Sequence, residues 1–381
     1  MGLSESDALT AEEQQLVDGI VAKIRRGLSD ASKRFGVRVV RHGSMILRGR
    51  RIRSQGFQER LYSRWSGPLD LYELCLYVAQ NCGDYFNRKF RPKTAVGNDY
   101  QFEAMVRLQA GAVRVAGEIY ALLLSGYASG AHARWRTLHE IAVTALFIAQ
   151  ENKETAERYM HHLFVKSYED SLQYQKHAKK LKVKPLTQRE LRRIKKDYLA
   201  VIARYGEDFR KGYAWARPAL LRHNSKLKGD KIGFDHLQAA VNVQHWTPYY
   251  RMASHAVHPS STFIRSHLGG RVDIPVILAG PSNADLADPG QGALISLTNA
   301  TAALLTYESG SLELTEFRLS LSAMVLSLHA LSDSASREFI KVHRQLEDEI
   351  RAEKGSPPRI SGRVPRREGY IGIVGLALQS A

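Results

Sequence analysis

The chain has 381 residues, 44% of them hydrophobic and 24% charged, the proportions of an ordinary folded protein and not of a disordered or fibrous one. Lys and Arg number 55 against 38 Asp and Glu, a formal charge of +17, which favours anionic and above all phosphate-rich partners. No apolar run approaches the roughly 20 residues that cross a bilayer, and the opening MGLSESDALTAEEQQ is acidic and polar, unlike a secretory leader.

In chain order, Thr10 with Glu13 forms a capping box ahead of Leu16, Val17, Ile20 and Ile24 at helical spacing, which predicts an amphipathic helix from about residue 11 to Phe35. Gly36 to Arg41 alternates, and the glycine-punctuated arginines 48, 50, 51 and 53 follow, so an exposed basic strand or loop is expected there. Gly67-Pro68 closes that stretch, and Asp70 with Glu73 marks the next helix start. Cys75 and Cys82 lie seven positions apart on that helix, about 10 Å between Cα atoms and out of disulfide reach. Two thiols so placed point to a reducing, cytoplasmic setting. A soft boundary falls near Pro92 to Asn98.

From Tyr100 the periodicity is consistently helical, with further helices over His132 to Gln150, Thr155 to Leu181, and from the Thr187–Glu190 capping box towards Tyr205. Asp235 and Thr247-Pro248 start two more, the second ending near His258 because Pro259 disfavours helical geometry in the residue before it. Residues 271–283 read as a loop with one strand, and helical pattern resumes to Lys354. The basic tail from Gly355 reads as mobile, with Ile371 to Leu378 able to dock as an edge strand. The expected fold is mainly α: a helical bundle core over residues 98–354, a basic N-terminal region over 1–97, a short irregular or β insert, and the tail over 355–381.

Three groupings carry chemistry. On the helix before Pro259, Arg251, His255 and His258 fall at i, i+4 and i+7 on one face. There an arginine can steady a phosphodiester while a histidine withdraws a ribose 2′-hydroxyl proton, the needs of metal-independent RNA cleavage. Tyr250 and Ser254 stand beside them as substrate contacts; the bland alternative makes the tyrosines core residues and the histidines caps on carbonyls. The second grouping is His132, Arg136 and Glu140, one stripe at the entrance to an apolar helix, serving either as an internal ion pair or as groups that orient the site. The third is basic: Lys176, Lys179, Lys180, Lys182, Lys184, Arg189, Arg192, Arg193, Lys195 and Lys196 face only Glu190, a surface suited to a nucleic-acid backbone. No phosphate-binding glycine loop, nucleophile elbow or metal-ligand motif occurs. The sequence thus implies no cofactor and no resident metal, although His255, His258 and Glu140 would be the ligands of a metal-dependent hydrolase.

The segment Ala133-Arg134-Trp135-Arg136-Thr137-Leu138-His139-Glu140, with Tyr249, Tyr250, Ser254 and His258-Pro259-Ser260 downstream, resembles the bacterial helical family catalogued as domain of unknown function 5677, over roughly Gln101 to Ser266. That resemblance implies no activity. Arg251 and His258, with six residues between them, are also distantly similar to the Arg…His motif of HEPN (higher eukaryotes and prokaryotes nucleotide-binding) domains, with Met252 departing from the polar residue usual after the arginine. That likeness implies a homodimer whose two motifs share a cleft and cut RNA in a stress or phage-defence setting. The leading expectation is an RNA-directed endoribonuclease with His258, Arg251, Glu140, Arg136 and His255 at its centre and RNA favoured over DNA. The rivals are a non-catalytic nucleic-acid or protein-interaction module of a defence system, and the metal-dependent hydrolase. No membrane partner is expected.

Overall fold

In the computed structural model, Thr10 caps the first helix as its sequence dictates. Its hydroxyl accepts from the Glu13 N–H, and the Glu13 carboxylate reaches back to the Thr10 N–H at 2.8 Å. The structure describes residues 10–94, 99–225, 227, 232–258, 279–307 and 315–353. Among them are eleven α-helices and no strand, a mainly α-helical protein. The chain divides into two units, Met1–Arg60 and Leu61–Ala381.

The first unit holds α1 (Ala11–Arg41) and the beginning of α2 (Gly43–Thr94). The expected strand or loop over residues 36–53 is helix on both sides of a turn at His42. Period-two alternation in Val37, Val39 and Val40 loses its meaning where, among the described residues, no sheet or core buries one face, and all three are exposed. A helix then satisfies the backbone internally at the modest propensity cost of its glycines, about 1 kcal/mol each. The expected break at Gly67-Pro68 is also absent, since α2 continues through it. A proline removes one N–H from a helix interior, and here Trp65, Leu69 and Tyr72 around it are fully buried. Tertiary packing overrides the local penalty.

The second unit is built on α3 (Tyr100–Leu124) and α4 (Ala128–Gln150), which pack along each other. Next come α5 (Lys153–Leu181) and α6 (Gln188–Tyr205), a helical hairpin whose first arm also touches α3. Lys182, at φ 55°, ends α5 in the left-handed conformation, and the Thr187–Glu190 capping box starts α6. Three short helices follow: α7 (Arg217–His223), α8 (Phe234–Ala240) and α9 (Thr247–Val257), the last opening with Pro248 in its first turn as the sequence predicts. The core is closed by α10 (Ala287–Ala302) and α11 (Thr315–Glu353).

Every residue of α10 except Asp288 is buried, and it packs against α3, α4 and α11. Its composition explains how it fits. A Cβ on Gly290 would stand 2.6 Å from the Phe339 ring, and one on Gly292 2.9 Å from Trp135 Nε1. Around it, Trp135 Nε1 donates to Ser296 Oγ at 3.1 Å and Trp65 Nε1 to the Asn283 carbonyl at 2.9 Å. Both indoles thus bury their area without stranding their N–H groups. Cys75 and Cys82 are free and buried, each thiol pushed up to about 12 by burial. Most of the insert expected over residues 271–283 and all of the tail from Gly355, including Ile371 to Leu378, lie outside the described residues; 279–283 contain no strand.

Candidate functional site

Helix α4 is apolar but for Thr144 from Ala142 to Ala149 and changes character one turn earlier, at Arg136 and Glu140. Four residues apart, these two align on one face and pair, with Arg136 Nη2 3.1 Å from Glu140 Oε1. Their side chains are 30% and 32% exposed, neither sealed in the core nor fully solvated. Tyr250 of α9 enters between them. Its hydroxyl accepts from Arg136 Nη2 at 2.6 Å and donates to Glu140 Oε1 through a short hydrogen bond. The Arg136 guanidinium also lies 4.7 Å from the centroid of the same ring, an additional cation–π attraction.

The three groups therefore satisfy one another and tie α9 to α4. Burial first, and then the hydrogen bond to Glu140, pushes the Tyr250 phenol well above its usual range, so it stays protonated and remains the donor. Among the described residues, Arg136 Nε, which takes no part in these bonds, is buried without a hydrogen-bond partner. Behind the clamp, the Phe234 ring is 4.9 Å from that of Tyr250. Tyr213, held at φ 58°, stands close enough for Glu140 to add to the burial that raises its phenol. Tyr213 and Phe234 come from a turn and from a short helix. Neither has a periodic signal that would have pointed to the cluster.

The expected stripe of His132, Arg136 and Glu140 divides. His132 is buried and stacked on Trp135, ring centroids 5.3 Å apart and planes 14° from parallel, so it belongs to the core. Burial lowers it to about 4, against the pull of Asp288. Its neighbour His139, lowered to about 3 by burial, has Nε2 2.9 Å from Gln238 Nε2. A neutral ring there accepts the amide proton, which leaves its own hydrogen on Nδ1. On α5, His162 donates from Nε2 to the Lys211 carbonyl at 3.2 Å, and His161 is held between the hydroxyls of Tyr205 and Tyr100 at 2.9 and 3.2 Å.

Helix α9 turns Tyr250 and the buried Ala253 inward, while Arg251, Met252 and His258 are exposed and His255 half-exposed. Ser254 donates to the Tyr250 carbonyl at 3.0 Å, within its own helix. The helix ends at His258, whose N–H donates to the Ser254 carbonyl. Among the described residues, no hydrogen bond or ion pair joins Arg251, His255 or His258 to Arg136 or Glu140. The structure thus places the expected site residues in two groups, an interlocked trio of Arg136, Glu140 and Tyr250, and an outward face of Arg251, His255 and His258 carried by the helix that the trio holds. Nor do His255, His258 and Glu140 converge as a metal site would require: among the described residues no group of three or more His, Cys, Asp or Glu could hold an ion.

The third grouping is wholly on the surface. All ten Lys and Arg side chains between Lys176 and Lys196, with Lys179 and Lys180 near the end of α5 and Arg192 and Arg193 on α6, are exposed. None forms an ion pair among the described residues. The one carboxylate in the run, Glu190, is held by the Thr187 hydroxyl and N–H, both at 2.7 Å.

Fold and site together define a helical-bundle domain with a polar clamp between its central helix and a short helix ending at His258. Residues 102–273 match the model of a family of unknown function (DUF5677), and this segment contains the clamp, the outward face of α9 and the basic hairpin. The resemblance to that family stands over these residues. No curated protein and no solved structure matches the chain significantly. No described helix is long and apolar enough to cross a membrane.

Proposed function

We propose that the protein binds RNA, with the α5–α6 hairpin as the surface that follows the phosphate backbone. The observation that carries this reading is the run of ten exposed cations from Lys176 to Lys196 with its single carboxylate already engaged. Cations that form no ion pair among the described residues, carried on two packed helices, are free to displace condensed counterions from a polyanion. Exposed lysines on a lone helix are usually no more than a solvated face. Here they continue across two packed helices and the turn between them, on a chain of formal charge +17.

The test is fluorescence anisotropy with labelled single-stranded RNA and, beside it, duplex DNA of equal length. Reversing Lys179, Lys180, Arg192 and Arg193 to glutamate is expected to weaken RNA binding at least about hundredfold at moderate salt, since fewer phosphates are neutralised and fewer counterions released. Equal affinity of this variant and the natural chain overturns the reading.

A second reading, metal-independent RNA cleavage, is favoured by the outward face of α9. Arg251 is exposed midway along, and His258 at the end of, a helix fixed by the Arg136–Glu140–Tyr250 clamp. Arg251 would steady the phosphodiester and His258 would take the 2′-hydroxyl proton as the 2′-oxygen bonds to phosphorus and the bond from phosphorus to the 5′-oxygen breaks. The departing 5′-oxygen takes a proton from water, leaving a 2′,3′-cyclic phosphate; His255 stands beside them and the clamp residues position the helix. Cleavage that persists in EDTA and disappears in His258→Ala supports it. RNA that stays intact when bound leaves binding as the whole activity.

A further inference from the structure

Along α1, Val17, Val21, Ile24, Leu28, Ala31 and Phe35 recur at alternating steps of four and three residues, the a/d spacing of a coiled-coil seam. Nothing described covers them: α1 buries no residue, and Ile24, Leu28 and Phe35 are 62%, 69% and 70% exposed. The helix has 31 residues, the seam from Val17 to Phe35 runs for about 27 Å of it, and a continuous apolar stripe of that extent marks an interaction surface.

Charge along the same helix decides what fits the stripe. Before Lys23 its charged residues are Glu12, Glu13 and Asp18, without a cation; from Lys23 to Arg41 it carries seven Lys or Arg against Asp30 alone. Two parallel copies would set like charge beside like charge at both ends. Two antiparallel copies lay the acidic end of each along the basic end of the other. The apolar residues agree with this polarity. When Ile24 meets Leu28 across a twofold axis, Val17 meets Phe35 and Val21 meets Ala31, so each seam residue faces an apolar partner, and the patch is complementary to itself as a twofold interface must be.

We propose that α1 is an antiparallel coiled-coil dimerisation helix and that the surface it presents is made for a second copy of this chain. The pairing is independent of the RNA-binding reading and of any cleft shared between Arg251 and His258 motifs.

Sedimentation velocity of the full chain in RNA-free buffer tests it. A concentration-dependent dimer is expected, with Leu28→Asp raising the dissociation constant at least about tenfold and leaving the thermal melt of the second unit unchanged, since Leu28 supports no core. Orientation is read by mixing Val17→Cys copies with Phe35→Cys copies under mild oxidation. Disulfides between unlike copies are expected, and the buried Cys75 and Cys82 stay out of the reaction. A chain that remains monomeric at all concentrations, a dimer indifferent to Leu28→Asp, or disulfides only between like copies each overturns the proposal. So does a monomer that uses the Leu28 stripe to bind anionic vesicles.

Discussion

Tyr250 shows how one hydroxyl can organise two elements. It satisfies a cation on one side and a carboxylate on the other, and each of those belongs to α4 while the phenol belongs to α9. Tyr250→Phe keeps the ring packed on Phe234 and removes only the two hydrogen bonds. A loss of about 1–3 kcal/mol is expected, because charged partners are left short of a bond at a half-buried site; the midpoint of urea unfolding measures it. The buried histidines set a pH dependence. His132 and His139, held at about 4 and about 3, are neutral in the folded chain, whereas the unfolded chain binds their protons as pH falls below the ordinary 6.5. Their contribution is therefore full above about pH 6.5 and is lost as pH falls through 6.5 towards 4 and 3. At about pH 5 each costs on the order of 2 kcal/mol. Unfolding midpoints at neutral and mildly acidic pH check this, and His139→Gln, which retains an acceptor for Gln238, is expected to flatten the decline. An identical decline in that variant would mean that other groups drive it.

Between elements, the tightest approaches are made where side chains are missing. Gly290→Ala forces a methyl against the fully buried Phe339 ring and is expected to cost about 1–3 kcal/mol. Gly117→Ala on α3 meets nothing within 4 Å and is expected to stabilise by up to about 1 kcal/mol through helix propensity. Thermal melts of the two variants should move in opposite directions. The same contrast between local and distant causes explains what the sequence disclosed. Starts of α1, α6 and α9 were legible from Thr10–Glu13, Thr187–Glu190 and Thr247-Pro248, because caps act within one turn. The passage of α2 through Pro68 was not, because burial of Trp65 and Tyr72 depends on residues far away in the chain. The alternation of Val37, Val39 and Val40 suggested a strand for the same reason: local pattern carries no sign that a neighbouring sheet is missing. Pairing of Arg136 with Glu140 follows from spacing alone, but the insertion of Tyr250 between them, and the neighbouring Tyr213 and Phe234, required the tertiary fold.

For the molecule as a whole, the charge excess makes ionic strength the controlling variable. If the α5–α6 hairpin neutralises about five phosphates of single-stranded RNA, the logarithm of the binding constant should fall against the logarithm of salt with a slope near −3.5. The four-residue charge reversal should bring that slope towards zero. Affinity insensitive to salt would point to base stacking as the source of binding. Buried on every side, α10 has a consequence for where the protein can be cut. The stretch that matches the family stops at residue 273, ahead of this helix, so a chain trimmed to the matched boundaries would leave an open greasy trough along α3 and α4 where α10 belongs. Such a fragment is expected to precipitate on expression, and extending it to residues 61–353 of the second unit, which also returns the buried Trp65, Tyr72 and Phe86 of α2, should restore a soluble, cooperatively melting product.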